Sequence, residues 1–240
     1  MSTLLLETAE ELAQKKTAIW ISVGAIVLLA LVIVLLSFKN KKADTRSIAF
    51  AGVCTAMSFA LSFAKIPVGA FGGSVTVASL VPLLIYAFAF GPIKGLMAGV
   101  IFGLLQFVQD PYIFTPLSFA LDYVLPNAGI AFAGLTGYWF KKPRTALCLG
   151  ATFCYIWKFA MHFFSGLLYF NAGWIVDGLP ATNGWIYSFV YQCTYVPADM
   201  AICLAVIVPI ACTPALKRIM SVLRPQKEEK PTEEKAENQA

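Results

Sequence analysis

The sequence is poor in charge, and its few charged residues are unevenly placed. Only 13% of the 240 residues are Asp, Glu, Lys or Arg, about half the share that is typical of soluble domains. Residues 47–216 contain ten of them, and the flanking residues 1–46 and 217–240 contain the rest. So long a stretch with so little charge cannot cover a water-facing surface. This excludes a soluble enzyme, a nucleic-acid-binding protein and a coiled coil.

The chain also lacks the motifs of familiar chemistry. It has no G-x-x-x-x-G-K-[ST] phosphate loop, no H-E-x-x-H and no G-x-S-x-G, so ATP hydrolysis by that route and two hydrolase classes have no support. Its six cysteines show no C-x-x-C spacing, which argues against a metal site. We therefore expect neither a metal nor a cofactor, and we favour a binding protein over an enzyme.

What the sequence does have is long apolar runs, with 59% hydrophobic residues and a mean hydropathy of +0.74. A membrane-spanning helix needs about 20 mostly apolar residues. Seven runs meet this need: 18–37, 47–66, 75–91, 93–109, 117–139, 145–170 and 185–213. They predict an all-α integral membrane protein.

The runs also predict how the chain is divided. Residues 47–216 hold a six-helix membrane domain, and the run 18–37 is one extra helix before it. Residues 1–17 form an N-terminal segment, and one interpretation of this segment is a short interfacial helix. Residues 224–240 are charged and without an apolar face, which is typical of a disordered tail.

The distribution of basic residues predicts the orientation. The loops 67–74, 110–116 and 171–184 carry Asp110 and Asp177 and no Lys or Arg. The loops of the other side carry the basic residues, which in bacterial membrane proteins marks the cytoplasmic side. We therefore expect the N-terminus outside and the C-terminus in the cytoplasm. The basic residues are Lys39, Lys41, Lys42, Arg46, Lys94, Lys141, Lys142, Arg144, Lys217 and Arg218.

Two of the predicted helices carry small residues at every fourth position. Small residues let helix backbones approach closely in lipid. The first stripe favours packing inside the bundle, whereas the second fits either internal packing or the docking of an external membrane partner. The first stripe is Gly91, Gly95, Gly99 and Gly103, and the second is Gly52, Ala56, Ala60 and Ala64.

Polar side chains inside the apolar runs are the candidate functional residues, because such residues are costly in a membrane. They come from several helices and one loop, yet all map to the outer leaflet, as a ligand site open to the outside requires. They are Tyr112, Asp122, Tyr123, His162, Tyr187, Tyr191 and Gln192.

Asp122 is the most informative of them. A carboxylate inside a span with no evident basic neighbour either is protonated or faces a cationic ligand. Aromatic residues are frequent near the same end, which suggests an aromatic cage with one acid, suited to a flat organic cation. The aromatic residues are Phe163, Phe164, Tyr169, Phe170, Trp174 and Trp185.

Lys158 and Asp199 lie deeper, at nearly equal distances of 12 and 14 residues from the outer ends of their predicted helices. Nearly equal depth predicts an ion pair near the midplane, because either charge alone would be stranded in an apolar environment. A structural link between two helices is the favoured role, and a role in coupling is the alternative.

The stretch GGSVTVASLVPLLIYAFAFGPIKGLMAGVIFGLLQFVQDPYIFTPLSFALDYVL, from Gly72 to Leu125, resembles the thiamine-specific S-components of energy-coupling factor transporters. So does WKFAMHFFSGLLYF followed by IYSFVYQ. The resemblance covers about 47–216. It implies a six-helix subunit in a bacterial cell membrane that binds thiamine from outside and is not an enzyme. The implied partners are a shared transmembrane coupling subunit and two cytoplasmic ATPases.

The resemblance also implies roles for individual residues. Asp122 stands where the family has an acid facing the thiazolium, His162 matches a histidine that hydrogen-bonds the ligand, and the stripe from Gly52 to Ala64 matches the surface that docks the coupling subunit. Tyr123, Tyr112 and Tyr187 match ligand-site aromatics. Phe71 stands where a tryptophan is usual, Gln192 where a shorter amide is expected, and the stacking aromatic is Trp174 or Phe170.

Three alternatives remain open at this point. The ligand could be a thiamine precursor or another flat cationic vitamin. From a different class, the chain could be a small membrane enzyme that uses Asp122 and His162 as an acid–base pair. A purely structural or assembly protein is the third.

Overall fold

The computed structural model describes residues 45–68, 73–111, 116–170, 175–176, 179–180 and 184–223. The predicted N-terminal segment, the extra helix 18–37 and the charged tail lie outside the described residues. So do three of the predicted site residues, Phe71, Tyr112 and Trp174.

The described residues are mostly helical. Helices α3, α7 and α8 are long and apolar enough to cross a membrane. The elements, in chain order, are α1 (Thr45–Ser62), β1 (Lys65–Val68), β2 (Gly73–Thr76), α2 (Val81–Phe90), α3 (Pro92–Gln109), α4 (Pro116–Phe119), a π-helical segment (Ala120–Val124), α5 (Leu125–Ala128), α6 (Ala131–Trp139), α7 (Pro143–Phe170), β3 (Ile175–Val176), β4 (Leu179–Pro180), α8 (Gly184–Cys212) and α9 (Ala215–Leu223).

A β-hairpin occupies the end of the predicted span 47–66 and the start of the predicted span 75–91. The predicted bounds of these two spans were therefore wrong at those ends. Strands β1 and β2 are antiparallel, with Lys65 opposite Thr76. The run that begins at Val75 is as apolar as a helix would be, so hydropathy alone did not distinguish the two. Its β-branched residues favour a strand.

The hairpin also corrects the charge assignment of the outer loops. Because α1 ends at Ser62, Lys65 belongs to the outer connection and not to a span. Its Nζ lies 2.6 Å from Asp110 Oδ2 at the end of α3. Among the described residues, the end of the bundle that is predicted to face outward therefore carries one lysine, and an acid neutralises it.

The predicted span 117–139 is divided by Pro126. Leu125 N–H donates to Ala120 O, five residues back, and this bond defines the π-helical segment. Pro126 has no N–H to continue the ladder, and Gly129 N–H then donates only three residues back, to Pro126 O. The backbone therefore makes a wider π-type turn before the proline and a tighter 3₁₀-type turn after it.

The centre of the bundle is α2, which contacts α1, α3, α6, α7 and α8. Leu83, Leu84, Ala87 and Ala89 have no exposed surface. A helix that is apolar on every side is expected at the centre of a bundle. The polar features described below lie at its periphery.

The glycine stripe packs inside the bundle, which confirms that interpretation. A Cβ added at Gly99 would lie 2.2 Å from Asn127 O, and one added at Gly103 would lie 2.2 Å from Tyr123 O. The absence of a side chain therefore lets α3 lie directly against the backbone of the π-helical segment and α5.

Candidate ligand-binding site

An acid and a histidine from two different elements meet near one end of the bundle. Asp122, on the π-helical segment, has its Oδ1 3.5 Å from Nδ1 of His162 on α7. Their side chains are 21% and 14% exposed, so both are largely withdrawn from solvent. The expectation that Asp122 has no basic neighbour was therefore wrong, because His162 lies beside it.

The π-helical segment that carries Asp122 is held by side chains from three helices. Asn127 Nδ2 donates to Tyr123 O at 2.7 Å and to Gln106 Oε1 on α3 at 2.8 Å. Trp157 Nε1 on α7 donates to Leu125 O at 2.7 Å, a carbonyl that the helix break leaves free. A carbonyl without a donor is costly in the apolar interior of a membrane, so these bonds stabilise the irregular backbone.

Sequence reasoning missed Asn127 and Trp157. The only signal was Pro126, because a proline inside a helix releases carbonyls that other donors must satisfy. Which residues supply the donors depends on how the helices pack, and the sequence does not contain that information directly.

His162 is positioned from α8. Gln192 Nε2 donates to His162 O at 3.2 Å, and Tyr195 donates its hydroxyl proton to Gln192 Oε1. The ring of Tyr195 stands edge-on to the His162 ring, with centroids 6.2 Å apart. Both polar atoms of the Gln192 amide are thus bonded within the protein, which suits a positioning residue. Tyr195 was not among the predicted residues.

Tyr191 joins α8 to the hairpin. Its hydroxyl donates to Val68 O at 3.1 Å and accepts from Gly73 N–H at 3.0 Å. A Cβ on Gly73 would lie 2.8 Å from that hydroxyl, so glycine lets β2 lie on the helix. Tyr187, one turn earlier on α8, is partly exposed.

Tyr123 follows Asp122 in the chain, but its ring turns toward α3. It lies edge-on to Phe107, with centroids 5.2 Å apart, and 6.0 Å from Phe119. Its hydroxyl donates to Asp110 O at 2.6 Å. Tyr123 thereby connects the π-helical segment to the end of α3.

Several rings of the predicted aromatic cage pack against one another. Phe163 lies 5.7 Å from Phe164 and 5.8 Å from Trp185, between ring centroids. Phe164 and Trp185 are 48% and 57% exposed, so they lie at the surface of α7 and α8. The side chains of Tyr169 and Phe170 lie outside the described part of the chain. Within the described part of the chain, the ring of Tyr195 lies beside the ring of His162.

Lys158 and Asp199 meet one helical turn from the acid–histidine pair. Lys158 Nζ lies 3.2 Å from Asp199 Oδ2, and the side chains are 12% and 1% exposed. Asp199 Oδ1 also accepts from the Thr76 backbone N–H at 2.9 Å and from its hydroxyl at 2.8 Å. Asp199 thus joins α7, α8 and the hairpin.

Since Lys158 is paired with Asp199, the two acids have different electrostatic surroundings. Asp199 has a full cationic partner and two further donors, whereas the basic group beside Asp122 is an imidazole at the outer limit of hydrogen-bond distance. The two acids therefore differ in the kind of basic group that lies beside them.

These features define a helical membrane protein with a part-buried acid–histidine pair near one end of the bundle. Residues 48–218 match the model of the family described as thiamine transporter protein (Thia_YuaJ), and the chain belongs to this family. The family consists of transport proteins, so the prediction that the chain is not an enzyme is confirmed.

Two individual proteins are similar to the chain. The chain is 27% identical over 146 residues to the thiamine transporter ThiT of Bacillus subtilis (strain 168), which covers 57% of the chain and 73% of the relative. A solved structure of ThiT from Listeria monocytogenes superposes with a TM-score of 0.59 at 20% identity, covering 71% of this chain and 96% of that one. The predicted all-α membrane fold is confirmed.

Proposed function

We propose that this chain is the substrate-binding subunit of an ATP-driven vitamin uptake transporter and that it binds thiamine from the extracellular side. The observation that carries the proposal is the pairing of Asp122 with His162 near the predicted outer end, in a chain of the thiamine transporter family. The relative named above is itself described as a thiamine transporter.

The chemistry of thiamine suits this pair. The thiazolium nitrogen is quaternary, so the ring carries a permanent positive charge and no N–H, and a carboxylate recognises it mainly by charge. Asp122 is withdrawn from solvent, which strengthens that attraction relative to water. His162 offers a ring nitrogen that can hydrogen-bond the ligand while Gln192 and Tyr195 hold its backbone and ring in place.

A thiamine titration of the detergent-purified protein, followed by quenching of tryptophan fluorescence, tests this role. We expect saturable quenching in the wild type and an affinity at least about tenfold lower in Asp122→Asn, because one buried charge contact is lost. His162→Gln should weaken binding less.

Asp110→Asn is the matched control, since it removes the same charge from a side chain that is 64% exposed. It should change the affinity less than about twofold, as expected for a screened surface charge. Equal losses in both variants, or equal competition by the uncharged pyrimidine half of thiamine, would contradict the role of Asp122.

We further propose that α1 docks a transmembrane coupling subunit. Gly52, Ala56 and Ala60 are exposed on α1, and Ala64 is exposed just beyond the end of this helix. A Cβ added at Gly52 would meet nothing within 4 Å. The buried face of α1 is instead polar, with Ser47, Thr55, Ser58 and Ser62. A helix that turns its small apolar residues outward offers a close-approach surface to another helix.

Two contacts fix α1 at its ends. Ser47 Oγ accepts from Lys94 Nζ at 2.9 Å, and Ser62 Oγ donates to Gln109 Oε1 at 2.7 Å. Both partners lie on α3. The middle of α1 can therefore carry a partner without losing its position in the bundle. Two cytoplasmic ATPases would supply the energy, since the sequence has no phosphate loop of its own.

Ala56→Trp tests the docking surface. We expect it to abolish copurification with the coupling subunit and thiamine uptake, while thiamine binding by the isolated chain stays unchanged. Ala205→Trp, at an exposed alanine of α8, is the matched control. If Ala56→Trp supports full uptake, α1 is not the docking surface.

A further inference from the structure

A cleft of about 520 Å³ lies at the end of the bundle opposite the acid–histidine pair. It is bounded by the C-terminal end of α2, by α6, by the start of α7 and by α9. Apolar side chains line most of it, and two cations face it. The lining residues that matter here are Phe88, Tyr138, Arg144, Leu216, Lys217 and Met220.

The charge around this cleft has one sign. Arg144 is the second residue of α7 and Lys217 the third residue of α9, so the N-terminal ends of two helices lie beside the two side chains. Helix N-termini carry a partial positive charge and free N–H donors. Among the described residues, no acid lines the cleft. The arrangement is suited to an anion.

The cleft lies at the depth of the membrane–water interface. Tyr138 and Trp139 are 72% and 63% exposed at the end of α6, as is typical of an aromatic belt. Lys141 and Lys142 follow directly and are exposed. Aromatic rings followed by lysines mark the level at which lipid phosphates lie.

We propose that this cleft binds the headgroup of an anionic phospholipid, such as phosphatidylglycerol. The phosphate would lie between Arg144 and Lys217, and the glycerol and upper acyl carbons would contact Phe88, Leu216 and Met220. The volume is within the range of small-molecule sites. With the proposed orientation, the lipid belongs to the cytoplasmic leaflet; the chemistry of the site does not depend on that orientation.

Native mass spectrometry of the full chain tests this site by titration with dioleoyl-phosphatidylglycerol or dioleoyl-phosphatidylcholine. We expect preferential retention of phosphatidylglycerol. Each cation should contribute about fivefold, so Arg144→Gln/Lys217→Gln should weaken binding on the order of 25-fold. Lys141→Gln/Lys142→Gln removes the same charge from residues that do not line the cleft and should change binding less than about twofold.

Met220→Trp keeps both cations and fills the apolar wall, so it should also reduce phosphatidylglycerol binding if the cleft is the site. Equal retention of the two lipids, or equal losses in both double variants, would overturn the proposal. Full displacement by equimolar glycerol 3-phosphate would assign the cleft to a soluble phosphate ester. If Arg144→Gln/Lys217→Gln failed to copurify with the coupling subunit but bound phosphatidylglycerol as the wild type does, the cleft would be a protein-docking surface instead.

Discussion

Asp199 illustrates how a single buried charge is stabilised within the bundle. It is 1% exposed, yet its two oxygens accept from Lys158 Nζ, the Thr76 N–H and the Thr76 hydroxyl. Nearly equal depth in two neighbouring spans was enough to predict that Lys158 and Asp199 could meet. Thr76 was not predicted, because it was assigned to a span and lies in the hairpin.

Removing Lys158 should strand the Asp199 carboxylate. We expect Lys158→Met to lower the free energy of unfolding by about 3–5 kcal/mol, visible as a lower melting temperature in detergent. Lys65→Met breaks the exposed pair with Asp110 and should cost less than about 1 kcal/mol. If Asp199→Asn in the Lys158→Met background restores none of the loss, the two charges are not coupled.

Helix α3 carries the glycine stripe, and the absence of side chains at these glycines lets it pack closely against its neighbours. Gly103→Ala would place a methyl group 2.2 Å from Tyr123 O, so α3 or the π-helical segment must shift. We expect a loss of about 1–3 kcal/mol, as for other overpacked sites. Thiamine binding should also weaken, because Asp122 directly precedes Tyr123 and would shift with its backbone. Thermal unfolding and the fluorescence titration measure both.

Gly52→Ala is the matched control on α1. Its new methyl group would meet nothing within 4 Å, and alanine favours a helix over glycine by up to about 1 kcal/mol. The variant should therefore be as stable as the wild type or slightly more stable. An unaffected Gly103→Ala would show that the close approach of α3 is not needed.

Apolar length predicted that the described part of the chain is mostly helical, and small-residue spacing predicted the packing of the glycine stripe. The hairpin was not predicted, because hydropathy does not separate a strand of Val75 and Thr76 from a helix. Candidate site residues were found by their polarity inside apolar runs. Their partners were not found, since the contacts of Gln192 with His162 and Tyr195 depend on the tertiary arrangement.

At the scale of the whole molecule, the two ends differ in charge. The end near the hairpin has the neutralised pair of Lys65 and Asp110, whereas the opposite end has several exposed basic residues, among them Lys142 and Arg144. The positive-inside tendency assigns the basic end to the cytoplasm. The proposed entry of thiamine from outside depends on this orientation.

Cysteine labelling in intact cells tests the orientation. We expect Asp110→Cys to react with a membrane-impermeant maleimide, and Lys142→Cys to react only after permeabilisation. The exposed Cys193 and Cys212 are replaced by serine, and that parent protein serves as the blank. The reverse labelling pattern would place the acid–histidine pair on the cytoplasmic side.

Because Asp122 lies in the π-helical segment, the direction of its side chain depends on the number of residues in that segment. A π-turn contains one residue more than an α-turn, and each residue of an α-helix rotates the next by about 100°. Deleting one residue between Pro116 and Asp122 would turn the carboxylate away from His162 without changing any side chain in the site. Relatives that differ here by a one-residue gap would carry the same acid on a different helix face, so sequence comparison across this segment must align backbone length before residue identity.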